Sequence, residues 1–138
     1  MALNISGRDK LWGGLAYTGV FVSLVPLLLI VFIVLDNIGK IRLSTFLKYH
    51  LYQSILLNII FYFVPGFIST LFRFLAGLCD ITYIFAKTSP ILIKLASQIP
   101  TWFSYVIFFV ALYGIIWTFR GKYTHIPLVS QAVNMFLR

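Results

Sequence analysis

The chain has 138 residues, the length of one domain. Hydrophobic residues make up 61% of it and charged residues 10%, whereas soluble domains carry roughly 25% charge. Such a composition cannot cover a water-facing surface. It excludes a disordered protein and a secreted disulfide scaffold, and argues for an integral membrane protein over a soluble enzyme. The net charge of +8 comes from eleven Lys and Arg scattered between apolar runs. Without a dense basic cluster, they read as anchors facing lipid headgroups, not as a nucleic-acid surface. The single Cys79 has no partner for a disulfide or a thiolate metal site.

Leu11 to Leu35 are 25 residues without charge. As one helix they would measure about 37 Å, enough to cross a hydrocarbon core of about 30 Å with some tilt. Trp12 and Tyr17 suit the headgroup zone, and Pro26 is a candidate kink. The run is too long for a signal peptide and no small-x-small cleavage site follows it, so it is expected to be retained. Asp36 to Lys48 form a polar connection, in which Ser44 or Thr45 can cap the next helix. Tyr49 to Phe72 are again uncharged over 24 residues, with Pro65-Gly66 late in the run.

The next stretch has two readings. A third span runs from about Arg73 to Lys87, its lysines snorkelling, or a re-entrant segment precedes a short surface helix. Ser89-Pro90 resembles a helix start. A third embedded helix over 73–88 followed by the surface segment is preferred. Trp102 to Phe119 give a final span of 18 uncharged residues. Ile126, Val129, Val133 and Phe136 predict an amphipathic tail helix over 126–138 lying on the membrane. The expected fold is thus all-α: one polytopic helical membrane domain over 1–138, with four embedded helices near 11–35, 49–72, 73–88 and 102–119. Lys and Arg divide six to five between its two sides, which assigns no orientation.

Within lipid, small residues and polar contacts drive helices together. Ser104, Ala111, Gly114 and Thr118 share one face of the final span, and Gly14 with Thr18 and Gly19 with Ser23 stand four apart in the first. All read as packing positions. In the second span His50, Ser54, Asn58 and Tyr62 recur every four residues, with Tyr49 and Gln53 beside them. Residues at this spacing are neighbours on a helix, so they form a polar seam. A seam facing lipid tails is costly, so it faces other helices, as interhelical hydrogen bonds, or lines a hydrophilic path. Asp80 is the one acid inside an apolar run, with Arg73 and Lys87 seven residues to either side. An ion pair and a functional charge are both open for it.

No catalytic constellation is present. The chain has no Glu, and His50 and His125 stand far apart without a metal-ligand spacing. No enzyme, metal or other cofactor is expected.

The run Phe46-Leu47-Lys48-Tyr49-His50-Leu51-Tyr52-Gln53-Ser54-Ile55-Leu56-Leu57-Asn58-Ile59 resembles a signature of the twenty-kilodalton subunit family of the chloroplast inner-envelope protein-import translocon and its cyanobacterial relatives. That family carries a Phe-x-Arg-Phe-Asn-x-x-Gln-Ala-x-Leu-Leu-Asp-Ile-like stretch. Phe46, Gln53, Leu56, Leu57 and Ile59 match it, while Lys48, Tyr49, His50, Ser54 and Asn58 stand for Arg, Phe, Asn, Ala and Asp. Arg8-Asp9-Lys10-Leu11 with Leu15-Ala16-Tyr17 is similar to the family's entry into its first helix. Gly121-Lys122 with Ile126-Pro127-Leu128-Val129 and Ala132 is similar to the end of its last helix. The stretch from Phe72 to Pro100 carries no such likeness. The resemblance implies a four-helix subunit of a preprotein translocon, in a plastid inner envelope or a cyanobacterial-type membrane. Its partners would be membrane lipids, other translocon subunits and a transiting polypeptide. On the residues alone, a structural or assembly subunit of a larger membrane complex and a small-solute transporter or channel subunit stay open.

Overall fold

The computed structural model describes residues 5–22, 24–81 and 87–137. They form five α-helices and their connections, with no strand among the described residues: α1 (Gly7–Ala16), α2 (Val25–Asn37), α3 (Thr45–Ile81), α4 (Ser89–Phe119) and α5 (Val129–Phe136). A 3-10 turn, Tyr17–Val20, follows α1.

The apolar run over 11–35 is therefore built in pieces and not as one continuous helix. Two local causes break it. The Thr18 hydroxyl turns back to the Leu15 carbonyl at 2.6 Å, which competes with the helical ladder. Pro26 sits in the first turn of α2, where its missing N–H costs nothing and a helix starts readily. The resulting α2 has 13 residues, about 20 Å at ~1.5 Å per residue, which falls short of the ~30 Å hydrocarbon core.

The remaining spans merge. The runs over 49–72 and 73–81 are one helix, α3, which continues through Pro65. Residues 82–86 of the expected third span lie outside the described residues. The surface segment expected after Pro90 and the final span are likewise one helix, α4, continuing through Pro100. Among the described residues, two helices, α3 and α4, are long and apolar enough to cross a membrane, in place of the expected four. Only 11% and 17% of their most apolar stretches are buried within the chain, whereas the core helix of a soluble protein would be mostly covered.

Helix starts follow local chemistry. Ser6 caps α1 by accepting the Arg8 N–H at 3.3 Å, and Ser44 caps α3 by accepting the Leu47 N–H at 3.2 Å. Asp36, in the last turn of α2, faces an unfavourable helix dipole. It is held by Lys48 at 2.7 Å and by the Leu43 N–H at 2.9 Å. Lys48 keeps the Asp36 carboxyl below its ordinary range, chiefly through their hydrogen bond.

The chain divides into two compact units, residues 1–58 with 108–138, and residues 59–107. In the first, Ala16, Leu29, Leu47 and Leu51 form an apolar cluster, against which Val25, Phe32 and Ile55 pack. In the second, Ala76 and Ala96 are buried while Phe63 and Phe67 are 72% and 70% exposed. Several of its hydroxyls bond back to their own helices. Thr70 donates to the Gly66 carbonyl, Thr101 to Ser97 and Ser104 to Pro100, at 2.8–3.0 Å. A hydroxyl satisfied in this way needs no water, which suits a helix surface that faces lipid.

Candidate functional site: a sealed polar cluster

The polar seam divides after Asn58. His50, Gln53 and Ser54 are fully buried and Asn58 nearly so, in the first unit. The continuation of the row, Tyr62, belongs to the second unit and is 47% exposed. Residues 45–58 of α3 thus form a polar face covered by the chain itself. The covering comes from the end of α1 with its 3-10 turn, from the end of α4, and from the segment after α4 with α5.

Tyr17 donates its hydroxyl to Gln53 Oε1 at 2.6 Å, and the Thr124 hydroxyl donates to the same oxygen. Both lone pairs of that carbonyl are then occupied. Gln53 Nε2 donates to Ser130 Oγ at 3.0 Å, and Ser130 Oγ also accepts the Ile126 N–H at 2.8 Å. Tyr49 donates to the Thr124 carbonyl at 2.7 Å, and Ser54 donates to the carbonyl of Ala16. Asn58 donates to the Ser54 carbonyl at 2.8 Å.

His50 completes the arrangement. Its Nδ1 stands 3.0 Å from the Tyr17 hydroxyl and 3.1 Å from that of Thr118. Tyr17 has given its hydrogen to Gln53, and Thr118 gives its own to the Gly114 carbonyl at 2.7 Å. Nδ1 thus faces two hydroxyl oxygens, and the direction of these contacts follows the ring tautomer. The opposite nitrogen, Nε2, is buried, as is Asn58 Oδ1, and the ring also meets the Lys122 backbone. The ring itself is enclosed by aromatic neighbours: Phe46 at 4.5 Å, Tyr49 at 5.4 Å and Tyr123, stacked at 6.1 Å.

Close backbone approach makes the cluster possible. A Cβ at Gly13 would stand 2.7 Å from the Thr118 methyl, and one at Gly114 would stand 2.6 Å from the Tyr17 ring. On α4 the expected packing positions Ala111, Gly114 and Thr118 are buried in the first unit. Ser104 lies half-buried in the second, bonded to its own helix. Gly19 packs on Asn58, where a Cβ would stand 2.8 Å from Nδ2, while Ser23 lies outside the described residues.

Three members of the cluster were not expected from the sequence. Tyr17, read as a headgroup anchor, is instead 0% exposed at its centre. Thr124 and Ser130 come from a connection and from the tail helix. The tail does not lie free on a surface: Ser130 and Val133 are buried, and Phe136, on the predicted apolar stripe, is exposed but stacks on Tyr52 at 6.3 Å. Arg73 and Asp80 are both exposed in the second unit. The ion pair among the described residues is Lys48–Asp36. No three His, Cys, Asp or Glu side chains converge among the described residues in a way that would hold a metal.

The cluster joins four chain segments by hydrogen bonds. No protein-family model, curated protein or solved structure matches the chain.

Proposed function

We propose that the chain is an integral membrane subunit of an apparatus that moves polypeptides across a membrane or inserts them into it. The carrying observation is the meeting point of three sequence stretches. The runs near residues 8–17, 46–59 and 121–132, which resemble one translocon family in that family's order, all contribute to a single buried cluster through Tyr17, Gln53 and Thr124. The exposed apolar surfaces of α3 and α4 support the membrane assignment. By the resemblance, the membrane is a plastid inner envelope or a cyanobacterial-type one, and no covalent chemistry is involved.

A transiting chain would not pass along the His50–Asn58 seam, which is closed. It would contact the exposed 59–107 unit, together with other subunits. A photocrosslinker at Phe67 in native membranes tests this during active transport. Adducts with a preprotein in transit support the proposal. The sealed seam also favours a second reading, a purely structural subunit of a larger membrane complex. For that reading, Phe67 would capture one fixed protein partner and no substrate.

A further inference from the structure

The first unit holds a cavity of about 510 Å³ that is separate from the polar cluster. Its lining is mostly apolar and includes the buried Leu29 and Leu51, the half-buried Phe32 and the exposed Leu15 and Leu28. Arg8, Asp9 and Arg42 also line it. Arg8 and Arg42 are exposed and Asp9 half-buried, and the one ion pair among the described residues lies elsewhere, at Lys48–Asp36. The volume is that of a small-ligand site. In a membrane chain, a mostly apolar lining that also carries two exposed bases and one acid matches the two halves of a lipid.

We propose that this cavity is a binding site for one glycerophospholipid with a hydrogen-bond-donating headgroup. One acyl chain lies along the apolar lining. The phosphate meets the guanidinium groups of Arg8 and Arg42, whose donors suit phosphate oxygens. The Asp9 carboxylate, which would repel a bare phosphate, accepts from the headgroup hydroxyls or ammonium beyond it. The second acyl chain stays in the bilayer, since the cavity has room for only part of the molecule. The site rests on the membrane assignment above and is independent of the transport role.

Native mass spectrometry of the full-length detergent-solubilised chain tests it, with phosphatidylglycerol as the probe and phosphatidylcholine, which lacks headgroup donors, as the comparison. One phosphatidylglycerol should be retained about tenfold better than phosphatidylcholine, a ratio that corresponds to the loss of one good polar contact. The R8Q/R42Q double variant should lower that retention about tenfold or more, and Leu28→Trp, which takes up room along the apolar lining, should lower it while leaving the Arg residues intact. R73Q, at an exposed base in the other unit, should not. Equal loss in R73Q would mean a nonspecific lipid shell and overturn the site. Displacement by millimolar inorganic phosphate would mean a free-phosphate site and also overturn it. Alkaline extraction of native membranes separates the two claims. A chain that stays in the membrane yet retains no lipid refutes this site alone, whereas a chain released into solution refutes the membrane assignment beneath it.

Discussion

The ring of Tyr17 occupies the space that a side chain at Gly114 would need: a Cβ there would stand 2.6 Å from the ring edge. Tyr17 has little freedom to move aside, because its hydroxyl is fixed to Gln53 at 2.6 Å. Gly114→Ala should therefore destabilise the first unit by about 1–3 kcal/mol, the usual cost of overpacking. Thermal unfolding in detergent would check this. Ala111→Gly, on the same helix face, provides a comparison in which the change in size is reversed.

Gln53 links both hydroxyl donors to Ser130, so Gln53→Leu strands several polar groups at once. The expected cost is about 2–4 kcal/mol, because each buried group left unsatisfied loses its desolvation compensation. Tyr17→Phe alone should cost less. The Y17F/Q53L double variant should be more stable than the sum of the single effects implies, since Phe removes a donor that Leu would have orphaned. Strict additivity in a double-mutant cycle would show that the two side chains do not act together.

The pair Asp36–Lys48 makes stability sensitive to acid. The folded carboxyl is held below its ordinary pKa of 3.8, chiefly by the hydrogen bond to Lys48. A depressed folded value means that the contribution is fully present above the unfolded pKa and is lost as pH falls through the folded one. Wild type should thus lose part of its stability advantage over Asp36→Asn as pH is lowered through 4 and below. Unfolding followed for both chains between pH 7 and 3 would check this, and a constant difference would contradict it.

Leu128 precedes α5 with φ of 66° and ψ of −50°, in a tight turn closed by the Val129 N–H on the Pro127 carbonyl at 2.8 Å. Such a γ-turn with positive φ is strained for a residue with a side chain. The Leu128 side chain is 77% exposed and has little packing to lose. Leu128→Gly should relieve the strain and stabilise the docking of α5 by about 1 kcal/mol. Protection of the Ser130 and Val133 amides from hydrogen exchange would rise in the variant.

The sequence made some of this architecture legible and hid the rest for physical reasons. The seam at His50, Gln53, Ser54 and Asn58 was readable because it lies within one helix and repeats at helical spacing. Its partners Thr124 and Ser130 come from a connection and a short tail helix, where no period marks them. Tyr17 was misread because an aromatic residue near the end of an apolar run has two natural places, the headgroup zone and a buried hydrogen bond. Ser44 and Pro90 marked helix starts correctly. Pro65 and Pro100 lie inside α3 and α4, a placement that membrane-spanning helices tolerate. The division of the seam after Asn58 was invisible, since composition does not change there.

The central claim is that the buried cluster joins the chain to itself, so that in the proposed transport role a transiting polypeptide meets the 59–107 unit and not the seam. A photocrosslinker at Gln53 in actively transporting membranes tests this most directly. The account predicts adducts within the chain only, to the segments carrying Tyr17, Thr124 and Ser130. Capture of a polypeptide in transit from Gln53 would contradict it and would make the seam a path.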